Sequence, residues 1–545
     1  MKIKTVFLSI AVILLALSLR LYRLNQNPPG LYSDEAAYLY NAYSLLKTGR
    51  DEYGVRFPLA FKSFGEYKAP LYIYAAVPLV KIFGLRVEAV RYLSVALSLG
   101  TIMTVFLLID SLYGSKAGLL AGFMLTVMPQ SLQFSRMGHE GNLSAFLLFC
   151  GLAFLLKDLK NKRIIVWPAV LFGLSMYAHH DAKLLAPLFI IAGLYLWLKK
   201  GNLNVKSVIL SIVVFTLLAL PLLTSVFNKS FWSRPIQTSI FSDPGIVAAI
   251  NSQRGEDVLS GFTFRNLYHN KLVTYVMTFA ENYGRHLSWD FLFFNGDNVQ
   301  IYKAVNSGVM LMWMMPFFYA GIYFFLRRRD TAGGIFIYGF LISIVVAALT
   351  RYVPSASRMQ LSLPFMAIYV ALGLMMIIEQ IKYPLLKRVF ILFVIIVLAF
   401  NLTFYFHNYY SHTPLRYAKE WHFGMDEVYG EIIARQDEYK TVWLSKSAWG
   451  YIYALVFLKY PPEKYQPQAN LSEVNEYGFG WVRKFDKYVF DDFPEDFTVS
   501  DKTLYIGSPE DFLGGTVNPL KTITYPDGQP AFYVTDRTSF PYEQK

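Results

Sequence analysis

Asp34 and Glu35 stand side by side in SDEAAYLYNAYSLLKTG, directly after the first long apolar run of the chain. A carboxylate placed here could take the proton from an attacking hydroxyl. It could equally satisfy free amides and the dipole at a helix N-terminus, with Ser33 as the cap. On spacing alone both readings stay open. The segment that follows has Ala36, Leu39, Tyr40, Tyr43 and Leu46 at helical spacing and Gly49 as a stop, which predicts an amphipathic helix lying along a membrane surface. Other groups with chemical potential are scattered: Lys68, Arg136, His139, Glu140, then His179, His180, Asp181 and Lys183 in HHDAK, and finally Arg351 and Arg358. The arginines could be head-group anchors, the common fate of interfacial cations, and His139 and His179 could be polar residues at span ends. Three adjacent polar residues in HHDAK exceed what a helix cap requires.

The elements that must hold these groups are membrane helices. Of 545 residues, 54% are hydrophobic and 16% charged, against about 25% charged in soluble domains, and mean hydropathy is +0.35. The single cysteine, Cys150, lies in an apolar run, so it forms no intrachain disulfide and supports no zinc-finger site. A net charge of +13 spread between apolar runs reads as membrane topology, with no nucleic acid partner. Stretches long enough for a bilayer of roughly 30 Å begin near Val6, Ala89, Ala117, Leu143, Ile164, Leu184, Val205, Ala304, Thr331, Met359 and Val389, about eleven spans.

Charge parity orients them. When the shorter run from Ala69 to Gly84 is counted as interfacial, Lys2 and Lys4, the Lys157 to Arg163 loop, Lys199, Lys200 and Lys206, Arg327 to Arg329, and Lys382, Lys387 and Arg388 all fall on the cytoplasmic side, as the positive-inside bias asks. The reading is a multi-pass plasma-membrane protein with a cytoplasmic N-terminus and a retained first anchor. Residues 1–406 form the membrane domain, with a first external loop over 25–88 and a long one over 228–303. Residues 407–545 form an external soluble domain, whose runs at Thr441 to Leu444, Thr503 to Ile506, Thr522 to Thr524 and Ala531 to Val534 alternate with a helix near Asp426 to Arg435, a small α/β unit. The spans lack ionisable residues at mid-depth, where carriers and pumps place theirs. The unusual polar residues sit instead at outer span ends, expected to converge on one external surface.

The order SDEAAYLYNAYSLLKTG, FGEYKAPLYIYAAVPLVKIFG, VEAVRYLSV and MPQSLQFSRMGHEGNLSAF resembles the polyprenyl-phosphate-dependent membrane glycosyltransferases of the C-type fold, which include the protein O-mannosyltransferases and the aminoarabinose transferases. YAHHDAKLLAPL, LSWDFLFFNGD and YVPSASRMQLSLP resemble the bacterial branch grouped with the mannosyltransferases. The resemblance implies that Asp34 is the general base; Glu35 then reads as its support or a helix-dipole partner. The resemblance implies that Lys68 and Arg358, with Arg136, hold the donor phosphate, and that Glu140 is a second external acid. His139, His179, His180, Asp181 and Lys183 would contact substrate. Two departures stand out: Lys68, Ala69 and Pro70 replace the usual Lys-Pro-Pro, and HHDAK replaces a threonine with lysine or tyrosine.

The implied partners are a polyprenyl-phosphate-linked sugar, membrane lipid, and a protein, glycan or lipid acceptor, with no cofactor. Attack by a hydroxyl on the anomeric carbon needs a positioned carboxylate. Departure of the lipid phosphate needs fixed cations, which lysine and arginine supply without a metal. The first loop has no D-x-D pair, which weighs against an oligosaccharyltransferase or glycan ligase with a diphosphate donor. A lipid or glycan transporter, or a scaffold whose C-terminal domain binds polymers, are the readings from other classes.

Overall fold

A backbone in hydrocarbon must satisfy its own N–H and C=O groups, and the apolar runs accordingly form helices. The computed structural model describes residues 3–161, 166–200, 205–225, 238–328, 330–448, 450–472, 480, 482–493, 500, 502–512 and 517–540. Arg163, Arg329 and the first part of the long loop, 228–237, lie outside them. Among the described residues seven helices are long and apolar enough to cross a membrane: Val87–Tyr113, Glu140–Asp158, Ala182–Lys199, Val205–Leu222, Thr331–Ala348, Ser362–Gln380 and one beginning at Pro384. Thr5–Leu21, Ser115–Val127 and Val166–Ser175 are shorter apolar helices, as is the interfacial candidate Pro70–Phe83. The run read as a span from Ala304 is α-helical only over Met315–Arg328, after a 3-10 turn at Met312–Met314. Its first part is irregular chain, tied back by Met310 N–H to Leu292 O at 2.8 Å.

The chain divides into two compact units. The first comprises Met1–Arg20, Leu97–Phe134 and Glu140–Phe406, the second Leu21–Ala96, Ser135–His139 and His407–Lys545. Small residues set the helix contacts of the first. Gly321 of Met315–Arg328 and Gly373 of Ser362–Gln380 each lie on the other helix's backbone, and an added Cβ would stand 1.9 Å from Tyr369 O and 2.0 Å from Phe317 O respectively.

In the second unit a hairpin pairs β1 (Phe61–Ser63) with β2 (Glu66–Lys68). Positive φ at Phe64 and Gly65 gives the tight two-residue connection that suits the strand twist. A six-stranded mixed sheet follows, built from β3 (Thr441–Leu444), β4 (Lys484–Phe485), β5 (Tyr488–Phe490), β6 (Thr503–Gly507), β7 (Lys521–Thr524) and β8 (Pro530–Thr535), in the order β4-β5-β3-β6-β8-β7. β3 runs parallel to β5 and β6. Every residue of β6 is buried, as for a strand covered on both faces.

The first loop belongs to the same compact unit as this sheet. Tyr451 Oη donates to Glu52 at 2.7 Å, Tyr40 Oη to Tyr460 O at 2.9 Å and Tyr453 Oη to Leu31 O at 3.0 Å. The helix Ser33–Thr48 is therefore buried over most of its surface, where an amphipathic surface helix was expected. Its polar residues are absorbed by the unit: Asn41 Nδ2 donates to Glu52 at 3.1 Å and Ser44 Oγ to Asp51 O at 3.1 Å.

Candidate active site

The acids of SDEA sit in the first turn of Ser33–Thr48, with Tyr32 rather than Ser33 at the cap position. Consecutive helical residues diverge by about 100°, and the two carboxylates enter different surroundings. Asp34 keeps 23% side-chain exposure and its Oδ1 accepts from Lys68 Nζ at 2.5 Å. Lys68 and Glu66 are two apart on β2, hence on one face of the strand, and Nζ also donates to Glu66 Oε1 at 2.8 Å. Burial alone would push the Lys68 ammonium down. Asp34 and Glu66 outweigh that and hold it above the ordinary lysine range. Ion pairs at such distances are worth on the order of a few kcal/mol at an effective dielectric near 20, so the lysine stays charged. Asp34 Oδ2 has no hydrogen-bond partner among the described residues.

Glu35 is fully buried. Its oxygens take a fork from Arg91, Nε to Oε1 at 2.9 Å and Nη2 to Oε2 at 3.0 Å, together with Gly138 N–H at 2.7 Å and Tyr32 N–H at 3.2 Å. Arg91 further donates to the carbonyls of Leu24, Pro28 and Gly30, and so fixes the loop that leads into the helix. This geometry suits a supporting acid. Sequence reasoning passed over Arg91 although it lies in the quoted VEAVRYLSV; an arginine inside an otherwise apolar run is the signal that could have found it.

Arg136 is 1% exposed. It donates to Tyr22 O at 2.8 Å, Asn27 O at 2.7 Å and Tyr409 Oη at 3.1 Å, so its guanidinium is committed to ordering the second unit. His139 is buried too, its N–H 3.4 Å from Ser94 Oγ.

The first unit gathers the HHDAK residues. Glu140 opens its helix, and His179 lies between two carboxylates, Nε2 at 3.8 Å from Glu140 Oε1 and Nδ1 at 3.1 Å from Asp181 Oδ2. Lys183 Nζ is 3.1 Å from His180 Nδ1. The arrangement can hand hydrogen bonds to sugar hydroxyls and can shuttle a proton through His179.

Arg358, half-buried, donates from Nη1 to Thr350 Oγ1 at 3.1 Å. The loop carrying it is pinned by two residues to which the sequence reading gave no role. Asp297, the last residue of LSWDFLFFNGD, accepts Ala356 N–H at 2.6 Å and Val299 N–H at 2.8 Å. Burial pushes its carboxyl up to about 6, against the pull of those hydrogen bonds and of Arg358. His286 Nε2 accepts Ser355 N–H at 2.9 Å while Nδ1 lies 2.8 Å from Asn282 O, which fixes a neutral tautomer with the proton on Nδ1. Burial holds its pKa down to about 4. Arg351 is used elsewhere, on the carbonyls of Ser239 and Ser242.

Residues 67–226 match the family model described as dolichyl-phosphate-mannose-protein mannosyltransferase. No curated protein matches the chain by sequence. Among solved structures, ArnT from Cupriavidus metallidurans bound to undecaprenyl phosphate is similar at 12% identity with a TM-score of 0.52, over 99% of this chain and 99% of that one. The archaeal oligosaccharyltransferase AglB from Archaeoglobus fulgidus, in complex with an inhibitory peptide and a dolichol-phosphate, is similar at 15% identity with a TM-score of 0.51. That likeness covers 84% of this chain, which spans 64% of the archaeal enzyme's length. At such identities the likeness is one of fold.

Proposed function

From a chain whose sequence and fold both carry the likeness to the polyprenyl-phosphate-dependent C-type membrane glycosyltransferases, we propose an inverting transferase. It moves a monosaccharide from a polyprenyl-phosphate donor to an acceptor hydroxyl on the external membrane face. The proposal includes the eleven-span arrangement, a cytoplasmic N-terminus, and an external second unit in the plasma membrane.

One observation carries the reading: Asp34 has one oxygen held by Lys68 and the other without a partner among the described residues, in a partly exposed position. The ammonium holds Oδ1, and Oδ2 takes the acceptor's proton as the acceptor oxygen bonds to the anomeric carbon. The bond from that carbon to the phosphate oxygen breaks, its electron pair leaves on the lipid phosphate, and the anomeric centre inverts. An ammonium has three donors; two go to Asp34 and Glu66, and we assign the third to the phosphate. From the family resemblance Arg358 is proposed as a donor-phosphate ligand, and Glu140, His179, His180, Asp181 and Lys183 as substrate contacts. Glu35 and Arg136 act as supports, and His139 remains a substrate contact. The acceptor is a protein, glycan or lipid.

The test is transfer from a synthetic polyprenyl-phosphate sugar of defined anomer, with the product's configuration read by NMR. Inversion is expected, and retention overturns the single-displacement mechanism. The fold likeness to an oligosaccharyltransferase supports a second reading, in which a diphosphate-linked glycan is the donor. Transfer from the diphosphate donor alone, dependent on added divalent metal, would favour it.

A further inference from the structure

Helices Ile3–Leu21, Ser115–Val127, Ser362–Gln380 and Pro384–His407 line an open cavity of about 680 Å³. Its walls are apolar, with Leu15, Phe123 and Ile391 among them, while Lys116, Glu379 and Lys387 complete the lining. Those three charges share one end. Lys116 is the second residue of its helix, Lys387 the fourth of its own, and Glu379 the last but one of Ser362–Gln380. The first helix lines the cavity with residues from its N-terminal two thirds. Apolar depth thus leads away from a charged rim. Among the described residues neither Lys116 nor Lys387 has an ion-pair partner.

In a bilayer such a trough is filled by hydrocarbon. Lysines at its mouth reach toward the interface, where a phosphate oxygen offers a charge-assisted hydrogen bond. Two lysines against one glutamate leave the rim positive, and Lys382 and Arg388, neighbours in sequence, add to that field. A positive rim favours an anionic head group over a zwitterionic one.

We propose that this cavity binds one anionic phospholipid, its acyl chain between the four helices and its phosphate on Lys116 and Lys387. Glu379 accepts from a head-group hydroxyl. The site uses neither Lys68 nor Arg358, so its occupant is a lipid other than the sugar donor. By the basic-loop reading the rim faces the cytoplasmic leaflet.

The test uses the full chain, reconstituted with phosphatidylglycerol or with phosphatidylcholine, released into detergent and weighed by native mass spectrometry. One retained phosphatidylglycerol is expected, with phosphatidylcholine retained at least tenfold less. Lys116→Gln with Lys387→Gln should lower phosphatidylglycerol occupancy at least fivefold, and the corresponding arginine pair should restore it. Ala11→Phe fills the wall with the rim intact and should lower occupancy as well, which keeps the test decisive should the glutamine pair misfold. Equal retention of the two lipids, or wild-type occupancy in the glutamine pair or in Ala11→Phe, overturns the proposal.

Discussion

Asp34 and Glu35 leave one helical turn, and the two regions they enter are balanced differently. Around Lys68 two carboxylates share one ammonium, and among the described residues an oxygen of Asp34 stays open. Around Arg91 one carboxylate meets one guanidinium in a fork, and the remaining donors go to backbone carbonyls. The first region retains something to offer a substrate. The second is closed, with no exposure at Glu35 or Arg91. Excess acceptor at a partly open position is what proton abstraction requires, while a matched and buried pair fixes the chain that presents it.

Substitution separates the two. Asp34→Asn keeps the shape and removes the proposed base, and should lower kcat by about 10²–10⁴, the usual contribution of general base catalysis, with the melting temperature little changed. Glu35→Ala leaves a buried guanidinium uncompensated, which typically costs about 3–5 kcal/mol. It should lower the melting temperature sharply while the folded fraction keeps near wild-type kcat. Active Asp34→Asn, or a stable but inactive Glu35→Ala, would reverse the assignment.

Sequence made the helices and the acid pair visible because apolar length and helical spacing are local properties. It could not divide the pair, since Arg91 and Gly138 reach Glu35 from positions 56 and 103 residues away. The union of the first loop with the C-terminal sheet was likewise hidden, resting on contacts such as Tyr451 to Glu52, 399 residues apart. The false start at Ala304 has a local cause that averaged hydropathy conceals. Asn306 takes a positive φ, and Gly308 lies so close to Phe293 that an added Cβ would stand 2.4 Å from its backbone carbon. Asp297 and His286 were passed over because each looks like an ordinary loop or helix-end residue until its backbone partners are seen.

Glu52 sharpens the comparison as a buried carboxylate with no ion-pair partner among the described residues, bonded instead by Tyr451 and Asn41 and drawn only at a distance by Lys68. Burial, aided by Asp51, pushes its pKa up from about 4.5 to about 8, against those two hydrogen bonds. Between these values the unfolded chain has released the proton that the folded chain keeps. Stability should therefore fall as pH rises from about 4.5 to about 8 and then level off. Glu52→Gln should flatten that slope in thermal melts across the window. A slope unchanged by the substitution would place the titrating group elsewhere.

The smallest effect belongs to the loop that carries Arg358, where support and chemistry lie closest together. Asp297 accepts Ala356 N–H and attracts the Arg358 guanidinium, so its charge bears on the cation proposed to hold the donor phosphate. Its carboxyl ionises near 6. Below that pH the attraction is lost while an oxygen remains to accept the amide. Donor affinity should then weaken as pH falls through about 6, with kcat less affected. Asp297→Asn should hold the low-pH KM at every pH, with a rise of up to about tenfold, equivalent to about 1.4 kcal/mol. His286 adds no charge in this range, because burial keeps it neutral above about 4. A purely structural Asp297 would lower the melting temperature and leave the pH profile of KM unmoved. Loss of the inflection near pH 6 in Asp297→Asn, with melting preserved, is what distinguishes a positioning residue from another closed support like Glu35.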